Sequence, residues 1–409
     1  MLHRCGVCDT LDKMEMGGVT MAKVLIVEST YETCDNALEE VFQTFPMDLK
    51  GKKVCIKVNS FTAGDPHKYA FVTDYRFLKA VLKQVERLGP AEIVVGDSIG
   101  TTHYGKTEEV FEANRFKEVA GAYYKNFNKN IKFVEMEYPE KQQVLALRDV
   151  LEADVYISLP KMKTHALGRI SGGVKNNFGL VAGLRKALFH YESITPEKFG
   201  RILAGCYQLR KPDLVIIDGI HAQSGYGPVS EEVYKAHKVI ASTDGVATDV
   251  VFSDMIGLTV DEVPYLVACR EESLGETDLA KIEVIGDTSL PEPWNVPSPA
   301  VASYIIQRGP KKAGIDFWRD RAAARPVIDM VRCATSEACA RIGPACVKQC
   351  PSGALRGGQG DFRCKKDKCL QCTSCMEWCP VRAVTMPPDP ELIERLKQHE
   401  KAHYPVFPD

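Results

Sequence analysis

Between Cys369 and Pro380 the sequence reads C-L-Q-C-T-S-C-M-E-W-C-P, a run of thiols spaced C-x2-C-x2-C-x3-C-P. Three thiolates on one tight loop reach three irons of a single cubane. The fourth opens a helical turn and points at a neighbouring centre. A stretch with this spacing wraps a [4Fe-4S] cluster rather than filling a hydrophobic core, and it fixes the character of the C-terminal part of the chain.

Upstream lies a looser version, Cys333-x5-Cys339-x6-Cys346-x3-Cys350-Pro351, and CPSGAL (350–355) repeats CPVRAV (379–384). This is the internal repeat of a duplicated two-cluster ferredoxin. In such a repeat the last cysteine of each half serves the other half's cluster. One cluster is then expected on Cys350, Cys369, Cys372 and Cys375, and the other on Cys333, Cys339, Cys346 and Cys379. Cys364, in DFRCKK, is left over and reads as a strand cysteine rather than a substitute for Cys333. Nine of the fifteen cysteines fall between Cys333 and Cys379. That crowding indicates metal ligation in a reducing, anaerobic compartment rather than a disulfide scaffold. Cys5 and Cys8 form a lone pair in residues 1–20, an extension ahead of a second start at Met21, and two thiols do not complete a four-ligand site.

From residue 23 to about 290, short apolar runs alternate with amphipathic stretches. Strands are expected at KVLIVE (23–28), KVCIKVN (53–59), AEIVVGD (91–97), ADVYISLP (153–160), DLVIIDG (213–219), HKVIAST (237–243) and KIEVIG (281–286). The runs are Val/Ile-rich and apolar on both faces, and helical periodicity separates them at 74–88 and 196–209. This predicts an α/β fold: mostly parallel sheet covered by helices, in one or two lobes with a split near 145–155 or 210, plus a small α+β ferredoxin-like domain. The expected segments are an α/β domain over 21–290, a Pro-rich linker and basic helix over 291–325, the cysteine module over 326–390 and a C-terminal helix over 391–409. With 52 Lys+Arg against 54 Asp+Glu the net charge is −2, which gives no support for nucleic acid or an anionic membrane as partner. No run of about 18 apolar residues suggests a membrane span, and no signal-peptide pattern is present, so a cytoplasmic location is expected.

The densest polar stretch is Lys161 to Leu180, KMKTHALGRISGGVKNNFGL, just past the strand ADVYISLP. Ligands of open parallel sheets bind beyond the strands' carboxyl ends. Lys161, Lys163, His165, Arg169 and Lys175 supply positive charge there, Gly172 and Gly173 permit close backbone approach, and Asn176 and Asn177 supply amide donors. Lys57 and Asn59 end another strand, Asp97 and Ser98 a third, and Asp218 follows LVIID, so all are expected to face one crevice. The set suits a small anionic molecule. Separately, Gly100 to Thr107 (GTTHYGKT) fits G-x4-G-K-[ST], a phosphate-loop pattern.

Residues LPKMKTH (159–165), SGGVKNNFGL (171–180), Lys186, His190, KVN (57–59) with Thr73-Asp74, DLVIIDGI (213–220), GYGP (225–228) and STDGVATD (242–249) together resemble the DUF362 domain family. Members of that family often carry a ferredoxin module. The resemblance spans most of 23–290, with Val58 where the family has Pro and Ser171 where it has Thr. It implies the architecture but no established reaction. A more remote similarity to the lactate-racemase fold implies His165 or His190 as an acid–base group. The expected function is an iron–sulfur oxidoreductase in which two [4Fe-4S] clusters feed a small anionic substrate or cofactor, with His165, His190 and Lys163 as catalytic candidates. Its electrons would come from a redox partner protein or low-potential donor. The alternatives are a non-enzymatic electron-transfer or maturation protein and an ATP-coupled reductase using 100–107. No G-x-G-x-x-G follows the first strand, so no flavin or nicotinamide is indicated.

Overall fold

The computed structural model describes residues 21–100, 103–193, 195–297 and 311–403. Cys5 and Cys8, Thr101 and Thr102 of the phosphate-loop pattern, and the end of the Pro-rich linker lie outside the described residues. Among the described residues twelve strands precede the cysteine module: Ala22–Glu28 (β1), Lys53–Val58 (β2), Glu92–Gly96 (β3), Ile131–Met136 (β4), Gln142–Leu147 (β5), Val155–Leu159 (β6), Lys161–His165 (β7), Arg169–Ser171 (β8), Leu214–Gln223 (β9), Val233–Tyr234 (β10), Lys238–Ser242 (β11) and Ile282–Ile285 (β12). Ten of them form one sheet whose main path runs β12-β1-β11-β9-β6-β2-β3, with β7, β8 and β10 attached beside β9. All seven apolar runs are strands of it. Residues from before and after both expected break points share the sheet through the β2–β6 and β6–β9 pairings.

The sheet is mixed rather than wholly parallel. Strands β3, β2, β6 and β9 run parallel, as do β1 and β12, but β11 is antiparallel to both β1 and β9. HKVIAST looks like a parallel strand because it is buried on both faces, and two-sided burial does not encode direction. Along β9 the alternation is clean: Leu214 and Ile216 pack with helices Cys34–Thr44 and Tyr75–Arg87, while Val215 and Ile217 pack with Pro196–Leu209, Gly245–Met255 and Pro264–Glu271. Asp74 starts its helix by accepting the Arg76 N–H at 2.8 Å. Helix Lys311–Ala322 leads into the C-terminal part. There Val327–Ile328 (β13) pairs with Val384–Thr385 (β16), and Leu355–Gly358 (β14) pairs with Asp361–Cys364 (β15), before the terminal helix Pro390–His403. Among the described residues no helix is long and apolar enough to cross a membrane.

Candidate functional site

The carboxyl ends of β2, β3 and β6 converge, and the polar stretch Lys161 to Leu180 opens as two ordered strands. Residues 161–165 form β7, which pairs parallel to β9 and antiparallel to β8. Alternation along β7 puts Lys161, Lys163 and His165 on one face, all buried. The segment gives no apolar strand signal because the side chains it buries there are polar.

A continuous hydrogen-bond chain links the predicted residues. Lys57 Nζ meets Asp97 Oδ1 at 2.7 Å and donates to Asn176 Oδ1 at 3.1 Å and the Val58 carbonyl at 3.2 Å. Asn59 Nδ2 donates to the same Asn176 oxygen at 3.3 Å, while Lys163 Nζ donates to Asn59 Oδ1 and the Phe71 carbonyl, each at 2.8 Å. Asp97 accepts the N–H groups of Ser60 and Ser98, both at 2.7 Å. Lys186 completes the chain, donating to Ser98 Oγ at 2.5 Å and to the Ser98 and Ile99 carbonyls. Gly179 is required here, since a Cβ would sit 2.7 Å from Lys57 Nζ.

Six predicted residues do other work. Lys161 is sealed onto Asp218 at 2.8 Å with Tyr31 Oη at 3.0 Å, and Asp218 also takes the Asp74 N–H, so this pair forms a closed knot. Asn177 faces away, accepting from Tyr156 Oη at 2.8 Å and donating to the Arg210 carbonyl at 2.8 Å. Arg169 donates to the Pro297 carbonyl. Gly172 and Gly173 make room for protein rather than ligand: a Cβ on Gly172 would lie 2.0 Å from Asp249 Oδ1, and one on Gly173 would lie 2.9 Å from the Gly245 carbonyl. Asp249 caps the short helix Gly173–Asn176 by accepting the Gly173 and Val174 N–H groups. The motif STDGVATD contains it, but nothing in its spacing announces that role.

Lys175, on that helix, is half-buried and has no hydrogen-bond or ion-pair partner among the described residues. Its nearest aromatic contact is Phe178, whose ring centre is 5.9 Å from Nζ. Desolvation, then the Lys57 charge, lowers Lys175 to about 7. Desolvation lowers Lys186 to about 7 as well, and drives Lys163 well below the ordinary lysine value with Lys175 as the next cause. The histidines differ in tautomer, as inferred from their bonds. His165 Nδ1 accepts the Leu167 and Gly168 N–H groups at 3.2 and 3.1 Å, so its proton sits on Nε2. His190 Nδ1 meets the Lys186 carbonyl at 2.7 Å and therefore carries its proton. Burial pushes His165 well below its usual value and His190 to about 3, so neither is charged at neutral pH. His190 is stacked 4.2 Å from Trp318 and lies 4.9 Å from Phe199, forming a wall.

The C-terminal thiols fall into two sets. Cys350, Cys369, Cys372 and Cys375 line one cavity with Pro351, Leu355 and Met386. Cys346 has Cys379, Cys339 and Cys333 as neighbours, and burial followed by those thiols pushes it up to about 11. Burial first, and then Cys350 and Cys369, raises Cys372 to about 12. Thiols crowded in this way resist becoming thiolates unless a cation joins them, which is the donor chemistry of a four-thiolate iron cluster. Gln371 and Thr373 take left-handed φ of 56° and 59° in the loop, and the Ala383 N–H reaches Cys379 Sγ at 3.1 Å, the kind of donor that cluster sulfurs take. Cys364 is on a strand, paired with Leu355, and neighbours Cys369 and Cys350 rather than the set containing Cys333.

The two parts meet at this loop. The Leu184 N–H donates to the Gln371 carbonyl at 2.9 Å, and a Cβ on Gly183 (φ 62°) would lie 2.5 Å from the Cys372 backbone. The phosphate-loop pattern is used up in the same contact. Gly105 lies against Met376, and the Thr107 hydroxyl donates to Glu377 Oε1 at 2.7 Å, with Asn126 Nδ2 on Oε2 at 2.9 Å. The hydroxyl that would ligate Mg²⁺ in a nucleotide site is thus committed, and the helix that follows is only seven residues long.

A family model described as a domain of unknown function, DUF362, matches residues 54–254. A thylakoid-associated protein of Synechocystis sp. is 30% identical over 233 residues, covering 55% of this chain and 68% of its own length. Pyruvate synthase subunit PorD of Methanocaldococcus jannaschii is 36% identical over 87 residues, 21% of this chain and 90% of that protein. Among solved structures, a Thermotoga maritima protein aligns with TM-score 0.36 and 16% identity over 60% of each chain. The lactate racemase apoprotein of Thermoanaerobacterium thermosaccharolyticum aligns with TM-score 0.40 and 12% identity, over 63% of this chain and 60% of that one.

Proposed function

Given that the chain belongs to the DUF362 family, a domain of unknown function, we propose that it is a cytoplasmic iron–sulfur oxidoreductase that passes electrons from residues 326–390 to a small anionic molecule in the lysine crevice of residues 21–290. The observation that carries this reading is the seating of the Cys372 loop on Gly183 and Leu184, two residues before Lys186 of the crevice network. Cys350, Cys369, Cys372 and Cys375 would hold one [4Fe-4S] cluster and Cys333, Cys339, Cys346 and Cys379 the other, supplying single electrons at low potential when bound. Helix Lys311–Ala322 leads into the module, and its Trp318 stacks on His190.

The crevice side chains do the rest. Lys57 is neutralised by Asp97 and Lys161 by Asp218, and among the described residues Lys163, Lys175 and Lys186 have no carboxylate. Unpaired buried cations are costly, and an anion removes that cost. Lys163 and Lys175 bind it, Asn59 and Asn176 fix the Lys163 and Lys57 ammonium groups, and the neutral His165 offers its Nε2–H.

Protein purified without oxygen should carry about eight irons per chain, as two [4Fe-4S] clusters require. Lys163→Ala should weaken phosphate or carboxylate binding by roughly tenfold, the loss expected for one charge-assisted hydrogen bond. Protein without iron would sink the proposal, and about four irons would mean that the set containing Cys333 is empty. The likeness to a pyruvate synthase subunit favours a second reading, a non-enzymatic electron-transfer or maturation protein for a partner redox enzyme. That reading predicts full iron content with no anion binding in the crevice.

A further inference from the structure

We propose that Lys175 is a covalent nucleophile: its amine condenses with the carbonyl of a 2-oxo carboxylate, forming an imine, while Lys163 and His165 hold the substrate's oxygens. This rests on reading the crevice as an anion site and names the class of anion.

The argument begins with a count of N–H bonds. An ammonium has three N–H groups. Lys57 spends its three on Val58, Asn176 and Asp97, and Lys186 spends its three on Ser98 Oγ and the Ser98 and Ile99 carbonyls. Lys161 is occupied by Asp218 and Tyr31. Lys163 has two acceptors, so when a bound anion restores its proton the ammonium keeps one N–H for that anion. Among the described residues, Lys175 alone of these five has no acceptor. A lysine meant only to bind an anion is ordinarily fixed by neighbours, as the other four are. One left unfixed, with cations around it, suits a different task.

That task needs a neutral amine, because carbonyl addition uses the nitrogen lone pair. Burial and then the Lys57 charge on β2 favour loss of the Lys175 proton, while Lys163 and the neutral His165 on β7 and the neutral His190 on helix Arg185–Glu192 also face it. The nearby carboxylate, Asp97, is held by Lys57. With its titration near 7, a large share of Lys175 is free amine at neutral pH.

His165 and Lys175 flank Gly168: the position of a Cβ there is 3.7 Å from His165 Nδ1 and 3.5 Å from Lys175 Cδ. Because His165 Nδ1 takes two backbone N–H groups, its Nε2–H can polarise a carbonyl oxygen without the ring being charged. The spare N–H of Lys163 then receives the carboxylate. In the step itself the Lys175 nitrogen bonds to the carbonyl carbon, and the C–O π pair takes up a proton. Loss of water leaves the C=N bond. Amine plus ketone gives imine plus water, with no change of oxidation state.

The test is trapping on the iron-loaded full chain. Pyruvate and cyanoborohydride at pH 7 should give one adduct per chain, and peptide mass mapping should place it on Lys175. Lys175→Arg and Lys175→Gln should both abolish it. Lys163→Ala should raise the pyruvate concentration needed by roughly tenfold, the change expected for one lost charge-assisted hydrogen bond. Acetone, which lacks the carboxylate, should trap poorly. An adduct spread over surface lysines, or none on Lys175, overturns the imine. Iron measured on the same sample separates the two proposals: iron without an adduct overturns only this one, and an adduct on iron-free protein overturns only the redox reading.

Discussion

Asp97 is buried and takes a lysine and two backbone N–H groups, so its removal strands three donors of the lysine network at once. Asp97→Ala should destabilise the protein by about 3–5 kcal/mol, the range for breaking a buried ion pair and stranding its partner. Denaturant unfolding measures this, and a loss below about 1 kcal/mol would mean that Lys57 finds another partner. Lys175 and Lys186 give a pH signature of defined sign. Both titrate near 7 when folded, against about 10.4 for an ordinary lysine. Between those values the unfolded chain binds more protons than the folded one, so stability should rise with pH across that window. Thermal melts from pH 7 to 9 should climb, and Lys175→Met should raise the pH 7 midpoint and flatten the slope. A midpoint falling over that range would contradict the assignment. The cations were legible in the sequence as a cluster; their division into neutralised and free was not, because it depends on Asp97 and Asp218 arriving from other strands.

At the level of elements, legibility followed the hydrophobic signal. The seven Val/Ile runs could be read because burial on both faces leaves a continuous apolar string. Strand β7 could not, because its inward residues are Lys161, Lys163 and His165, and the β4–β5 hairpin was missed because its partly exposed strands mix polar with apolar residues. The Gly172–Gly173 pair shows a subtler limit. A glycine required by a carboxylate and one required by a ligand look the same in sequence, and only the fold brings Asp249 from 76 residues away. Gly172→Ala separates these meanings. Asp249 is pinned by Gly173, Val174 and Tyr265, so it cannot yield to a new methyl group. The substitution should cost about 1–3 kcal/mol or more from overpacking and displace the helix bearing Lys175 and Asn176. A variant that melts like the parent would show that the carboxylate has room to move.

For the whole molecule, the question is whether the thiol module and the sheet domain act as one body. The spacing of the thiols raised the expectation of a two-cluster module, but it carried no information about docking, because the surface that this part meets is assembled from Gly105, Thr107, Asn126, Gly183 and Leu184 of distant segments. Gly183 is the tightest point of that surface. Its φ of 62° is a conformation that disfavours a side chain, and its missing Cβ is replaced by the backbone of Cys372. Gly183→Ala therefore imposes a local conformational cost and a backbone clash that no rotamer relieves, both at the contact and neither at a thiol. The expected result is a protein with iron content unchanged but with the Leu184 amide, now hydrogen-bonded to Gln371, exchanging with solvent much faster, and with faster cleavage between the two parts in limited proteolysis. If Leu184 exchange is unchanged while iron is lost, the glycine serves cluster assembly rather than docking, and the route from Cys372 to the lysine crevice has to be sought elsewhere.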